Sequence, residues 1–414
     1  MASDAVQPSV RPTALEFFAG IGLARVGLER AGFMVTWAND REPAKRAMYE
    51  ANFGEFPSHR FVLADIRSIR GSDLPGDASL AWASSPCTDL SLAGNRDGLG
   101  GSESGTFWEF IRILGEMGPS APPVAVVENV VGLATSRSGQ DLAAAVRALN
   151  VLGYSADVLA IDARRFVPQS RPRLFVVAAK SPPPSSEVTS ELRPHWLAGV
   201  FGDQSLRTHR AELPPPPPLL TSGFGPFYTE DLPAGDPRWW EPARVEAFTR
   251  SLSPAQAERL AELRRSPGVK FRTAYRRTRE GKAVWEVRPD DIAGCLRTAR
   301  GGSSKQAVVR LGEGSLRVRW MTPRECARLM GAGDYPLGAV STNQALFGFG
   351  DAVAVPVVEW LAANYLMPLV TAHTGHAREP AMDADPASLD SCVAGDPRAP
   401  VGSAPANSSA GRTQ

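Results

Sequence analysis

Cysteine is scarce: the chain has four in 414 residues, at positions 87, 295, 326 and 392. They lie far apart, with no CxxC spacing and no Cys/His cluster. That pattern argues against a disulfide framework and against a zinc site, and it fits reduced thiols in a cytoplasm. An excess of charge of either sign is also missing, since 45 Lys and Arg against 44 Asp and Glu leave a formal net charge of +1. No global field marks a partner, so any nucleic-acid surface has to be a local basic patch on a nearly neutral body. No window approaches the roughly 20 apolar residues of a membrane span. The opening MASDAVQPSVRP lacks the apolar core of a targeting segment. The expectation is a soluble intracellular protein, long enough for two domains at roughly 100–200 residues each.

What is present, from residue 13 to 180, is an alternation of short apolar runs with helical periodicity. Residues 14–18, 35–38, 61–64, 80–83, 124–128 and 174–179 read as strands. Helices are predicted from Leu23 to near Gly32, over 43–52 and over 139–152. Strands alternating with helices predict an α/β fold with a doubly wound, mostly parallel sheet, its ligand loops at the strands' carboxyl ends. Proline-rich 181–186 and 214–218 then break regular structure. The stretch up to about 319 reads as a smaller, irregular second domain, basic over 264–282. Helical patterning returns at 323–330, and a long apolar helix over 353–366 is expected to pack back on the first sheet. The organisation expected is therefore a flexible 1–12, a first domain 13–180 completed by 341–371, a second domain 181–340 and a disordered tail 372–414.

Four constellations carry chemistry. Phe18-Ala19-Gly20-Ile21-Gly22 follows a strand and opens a helix, where glycines let backbone approach a ligand and the helix start favours an anion. Asp40 and Asp65 each stand just past a predicted strand, as ribose- and base-binding acids do; turn glycines with two solvated acids would look the same. Cys87 follows Pro86, which fixes its backbone and projects the thiol from a strand end toward the ligand crevice. It is either a nucleophile or a buried thiol. Glu128-Asn129 ends a buried strand, where a carboxylate is costly without a partner or a task; burial can keep it protonated as a donor. It is a general acid or a salt-bridged cap. In Gln169-Ser170-Arg171-Pro172-Arg173 the two arginines, two residues apart on extended chain, point to one side. Lys270, Arg272, Arg276, Arg277, Arg279 and Lys282, interleaved with Phe271 and Tyr275, are the basic candidate for DNA phosphates, or else a solvated charge run.

Taken in order, these blocks resemble the C5-cytosine DNA methyltransferase family. Later segments agree: Leu296-Arg297-Thr298-Ala299-Arg300-Gly301-Gly302-Ser303-Ser304, then Arg319 to Gly331 with its Thr322-Pro323-Arg324-Glu325-Cys326-Ala327-Arg328-Leu329 core, and finally Gly350-Asp351-Ala352-Val353. The resemblance spans about 15–366, with 180–297 matching little. It implies a Rossmann-like methyltransferase fold and S-adenosylmethionine as cofactor, with no metal. Phe18 would lie on the adenine, with Gly20 and Gly22 near the methionine end, Asp40 on the ribose and Asp65 on the adenine amine. Ile21, Leu23, Ile66, Pro86, Asp351 and Ala352 complete that site. Cys87 would be the thiolate that adds to C6 of a flipped cytosine, Glu128 would bond its N3 edge and Arg173 its carbonyl. Arg171 is grouped with them as catalytic, and Gln169, Asn129, Arg276, Arg277 and Ser303 with the substrate. Asp351 stands where the family usually has Asn, a negative charge near the cofactor that lowers its affinity unless a basic partner compensates. Glu16 stands where Asp is usual. Partners implied are double-stranded DNA and a cognate nuclease or other defence protein, in the cytoplasm and on the nucleoid. A tRNA cytosine methyltransferase and a non-catalytic DNA-binding regulator are the rivals. The long divergent middle region favours duplex DNA over the first, and retention of Cys87 and Glu128 disfavours the second. GIGLARVG lacks the spacing of a nicotinamide site.

Overall fold

The computed structural model describes residues 11–55, 57–86, 101, 105–225, 227–279, 281–297 and 305–376. The first half is built from β1 (Thr13–Phe17), α1 (Leu23–Arg30), β2 (Met34–Asp40), α2 (Pro43–Phe53), β3 (Arg60–Leu63), β4 (Leu80–Ser84), α3 (Thr106–Met117), β5 (Val124–Val130), α4 (Gly132–Thr135), α5 (Gln140–Val151), β6 (Ser155–Asp162) and β7 (Pro172–Ala179). Their strands form one sheet in the order β3-β2-β1-β4-β5-β7-β6. Every pairing from β3 to β5 is parallel, whereas β7 runs antiparallel to both β5 and β6. Central strands such as LAWAS and VAVVENV are buried on both faces, which is why they read as unbroken apolar runs. α3 and α5 cover one face through Phe110, Ile113, Leu142 and Val146. α1 covers the other, together with helices from the far end of the chain.

From 13 to 180 the expected strands and helices are present, with ends shifted by a residue or two, whereas the helix expected over 353–366 continues to His376. β6 went unread because two aspartates interrupt SADVLAID. One of them, Asp157, is fully buried and paired to Arg193 at 2.5 Å, so the polar letter hides a core position.

Beyond β7 come α6 (Ala198–Gly202), α7 (Pro242–Arg250), α8 (Pro254–Arg265), β8 (Lys270–Arg279), β9 (Lys282–Val287), β10 (Ala307–Gly312) and β11 (Ser315–Trp320). The region expected to be irregular holds a four-stranded antiparallel sheet, β11-β10-β8-β9, with α8 packed on it. KFRTAYRRTR did not read as a strand because arginines occupy both of its faces. The boundaries also move. Residues 181–211 run back along β6, where Ala160 N–H donates to Leu192 O at 2.7 Å and His209 N–H to Ala156 O at 3.0 Å. At the other end, α9 (Pro323–Leu329) places Cys326, Ala327 and Leu329 in the same core as α1. The second domain is therefore narrower than 181–340 at both ends.

The chain closes with α10 (Thr342–Asp351), α11 (Val355–Leu361) and α12 (Met367–His376). The stretch Thr342–His373 is long and apolar enough to cross a membrane by length and composition, with mean hydropathy 1.5 in its most apolar window. Val355, Val358, Leu361 and Leu366 of this stretch are instead buried on the sheet's α1 face, which accounts for the hydrophobicity.

Candidate active site

At the carboxyl end of β1 the backbone turns through left-handed conformations: Phe18 at φ 55°, Gly20 at φ 58° and Gly22 at φ 79°. A phenylalanine held there is strained, as clamps around ligands often are. Gly22 admits no side chain, because an added Cβ would sit 2.4 Å from the Phe53 ring. Asp40 shapes the turn, accepting from Gly20 N–H through Oδ2 and from Glu42 N–H through Oδ1, both at 2.9 Å. Tyr335 fastens it from the far end of the chain, its hydroxyl donating toward Ile21 O and Met48 O at 2.8 Å. Ile21, Leu23 and Ile66 are core side chains, so they can offer a ligand only their backbone. Asp65 caps the turn Ile66–Ser68 and is bonded by Arg67. Half-exposed Phe18, the open space over Gly20 and the two acids suit a nucleoside carrying a cationic, polar tail. S-adenosylmethionine fits this cradle.

Below the turn, Glu16 is fully buried and accepts from Arg25 N–H at 3.1 Å and Tyr49 Oη at 3.3 Å. Burial, only partly offset by Arg25, pushes its pKa up to about 8. Asp351 closes the same region from α10 and has the basic partner its charge requires. Lys45 Nζ lies 2.9 Å from Asp351 Oδ2. Burial works against that lysine's charge, but Asp351 and Asp40 outweigh it and hold the amine above its ordinary value. No motif announced Lys45.

The second half of the site lies where β4, β5 and β7 end. Because β7 is antiparallel, its amino end reaches the carboxyl edge of β5, and this brings Arg171 and Arg173 beside Glu128. Arg173 Nε lies 3.0 Å from Glu128 Oε1, with both side chains largely buried. Burial raises the Glu128 pKa against the pull of Arg173 and Arg171. Asn129 donates from Nδ2 to Ser85 Oγ at 2.9 Å and to Ser85 O at 3.3 Å, clamping the chain that leads into Pro86. Cys87 itself lies outside the described residues, as does Ser303.

Arg171 and Gln169 do other work. Arg171 is 1% exposed and donates to Leu296 O at 2.6 Å, Gly350 O at 3.0 Å and Ala352 O at 2.5 Å. Gln169 donates to Leu329 O at 2.8 Å and accepts from Leu296 N–H at 3.0 Å. Both pin the connection between β9 and β10, and the helices that follow the second sheet, to the first sheet. Through these bonds both act as positioning residues among the described residues. Ala352 likewise contributes a carbonyl to this junction. Sequence reasoning missed Cys295, whose Sγ lies 3.3 Å from Arg171 Nη1. Burial would raise that thiol's pKa, yet Arg171, Arg173 and Arg297 together lower it.

Arg276 and Arg277 are neighbours on β8 and so point to opposite faces of its sheet. Arg276 pairs across the strands with Trp285, on the face that carries the Trp240–Trp285–Trp320 cluster. Arg277 shares its face with Tyr275, over whose ring it lies at 4.7 Å. One DNA surface cannot use both in the same way. Among the described residues no cluster of His, Cys, Asp and Glu could hold a metal ion.

The chain is similar to known proteins over most of its length. The type II methyltransferase M.HhaI of Haemophilus parahaemolyticus is 25% identical over 351 residues, 84% of this chain and 93% of that protein. M.HpaII of Haemophilus parainfluenzae is 27% identical over 350 residues, covering 84% and 87%. In solved structures the fold is shared with the S. pombe Dnmt2 methyltransferase, at TM-score 0.56 and 18% identity over 87% of this chain and 99% of that one. The family model for C-5 cytosine-specific DNA methylases matches residues 13–198, which hold the glycine turn, Glu128, Arg171 and Arg173. Residues 13–198 of this chain are a C-5 cytosine-specific DNA methylase domain, and over most of its length the chain is similar to type II methyltransferases.

Proposed function

We propose that this DNA (cytosine-5)-methyltransferase works through Cys87 on a cytosine swung out of a DNA duplex. Cytosine C5 is too weak a nucleophile to take a methyl group unaided. A thiolate bonded to C6 turns the ring into an enamine, whose C5 then accepts the methyl. Loss of the C5 proton breaks the carbon–sulfur bond and restores the ring. S-adenosylmethionine supplies the electrophilic methyl when bound. Phe18, the Gly20–Gly22 turn, Asp40 and Asp65 would hold it, and Lys45 keeps Asp351 compensated.

Glu128 has the properties the reaction needs. Its raised pKa favours a protonated carboxyl that can donate to N3 as charge builds there. Arg173 holds its Oε1 and brings a second donor to the base's polar edge. Such a base cannot be reached inside a stacked helix, so it has to be extruded. The observation that carries the reading is one juxtaposition: buried Glu128 gripped by Arg173, beside the Asn129-clamped Ser85-Pro86 that leads into Cys87.

The test is a covalent trap. Duplex DNA of randomised sequence carrying 5-fluorocytosine is incubated with protein and methyl donor, and a denaturing gel is read for an adduct. Wild type is expected to form it and Cys87→Ser none, while Glu128→Gln slows turnover by about 100-fold or more. Methyl transfer to tRNA but not to duplex DNA would overturn the choice of polymer. M.HhaI and M.HpaII are named type II methyltransferases. On that likeness we place the enzyme in the cytoplasm, on DNA, protecting sites from a cognate nuclease.

A further inference from the structure

β8 is ten residues long, but only its first half, Lys270–Ala274, pairs with β10. Its second half pairs with β9 alone, from Ala274↔Val287 to Arg279↔Lys282. Past the sheet, then, β8 and β9 continue as a two-stranded ribbon. Side chains alternate along it. Ala274, Trp285 and Val287 share a face packed on Trp240 and Phe248, so Arg276, across from Trp285, belongs to the covered side.

The other face is open, and it starts at the base pocket. Phe271 is buried in the first domain's core, and Thr273 Oγ1 accepts from Gly294 N–H at 3.2 Å. Tyr275 comes next, so close to Gly294 that a Cβ added there would lie 3.5 Å from its ring. Gly294 leads into Cys295, which touches Arg171 and is bonded by Arg173, the partner of Glu128. Outward along this face stand Arg277, 35% exposed, and Arg279, 64% exposed. Between them Glu286, across from Tyr275, holds both: 3.7 Å to Arg277 Nε, 2.9 and 2.5 Å to Arg279. The row leads away from the flipped-base pocket, where neighbouring base pairs must lie.

We propose that this ribbon reads the major groove, and that Arg277 and Arg279, held in register by Glu286, recognise guanines beside the target cytosine. The proposal rests on the methyltransferase reading above. A two-stranded ribbon fits the major groove, and a guanidinium donates two parallel hydrogen bonds to guanine O6 and N7, which no other base accepts in the same way. The Glu286 carboxylate limits the arginines' freedom before binding, so less ordering is lost on contact. Arg276 takes no part in base choice.

The experiment methylates a duplex library with randomised bases around one cytosine, followed by bisulfite sequencing. Wild type is expected to favour guanine at two nearby positions. Arg279→Ala and Arg277→Ala each relax one of those preferences by about tenfold to a hundredfold, Glu286→Gln weakens both, and Arg276→Ala leaves the profile unchanged. Slower methylation with an unaltered base profile in the arginine variants would reduce them to phosphate contacts and overturn the proposal. A wild-type enzyme that methylates no member of the library, and forms no 5-fluorocytosine adduct, would overturn the function itself.

Discussion

Two ionisable features separate this site from a generic cradle, the Lys45–Asp351 pair and buried Glu16. The Lys45–Asp351 pair places a lysine where it offsets the acid that replaces the usual asparagine. Removing the lysine leaves the Asp351 charge beside the cofactor site without its partner. Lys45→Met is therefore expected to weaken S-adenosylhomocysteine binding about tenfold, ~1.4 kcal/mol by calorimetry. Asp351→Asn added to it should restore most of the loss, because nothing is then left unpaired; additive losses would show that the two residues act separately. Glu16 gives a pH signature. Its pKa rises from 4.5 to about 8 on folding, so the folded state binds its proton more tightly than the unfolded one. Stability is then lost as pH climbs from about 4.5 to about 8. Glu16→Gln should flatten that decline and melt several degrees higher than wild type at pH 9. Parallel melting curves for the two proteins from pH 5 to 9 would contradict it.

Elements that looked alike in the sequence owe their places to different forces. Runs such as LAWAS were legible because both faces of the strand are buried. β6 was not, since Asp157 sits in its middle. That carboxylate is bonded by Arg193 at 2.8 and 2.5 Å, by Ala211 N–H at 3.1 Å and by Tyr365 Oη at 3.0 Å, while His209 bonds the same tyrosine at 2.9 Å. One acid thus ties β6 to the returning segment and to the final helices. Asp157→Ala is expected to cost about 3–5 kcal/mol in urea unfolding, because buried Arg193 loses its partner. Tyr365→Phe should cost less, about 1.5–3 kcal/mol, the worth of a hydrogen bond to a charged group. Equal effects would mean that packing, not charge, sets the cost.

At the scale of the molecule, the site exists only where two sheets meet. Gln169 and Arg171 hold that seam by bonding backbone from 296, 329, 350 and 352. Gln169→Ala strands a buried N–H and a buried carbonyl, at about 1–3 kcal/mol each. Hydrogen exchange should quicken at 293–297 and 329–330 while β4 and β5 stay protected. Uniform loosening of both sheets would argue that the residue serves the core at large.

Composition, the order of strands and helices, and the short blocks around Gly20, Pro86, Glu128 and Arg171 sufficed to place the fold, the cofactor class and the chemistry. Those features depend on local periodicity and on a few residues whose types the reaction demands. Tertiary structure decided the rest. It set Arg171 in the seam and Arg173 beside Glu128, placed Lys45 against Asp351, and put Arg276 and Arg277 on opposite faces of their sheet. Each of these outcomes depends on which strand lies beside which, and on which face a side chain takes. Residues hundreds of positions apart settle that by burying apolar surface together, and no window of the sequence contains both partners.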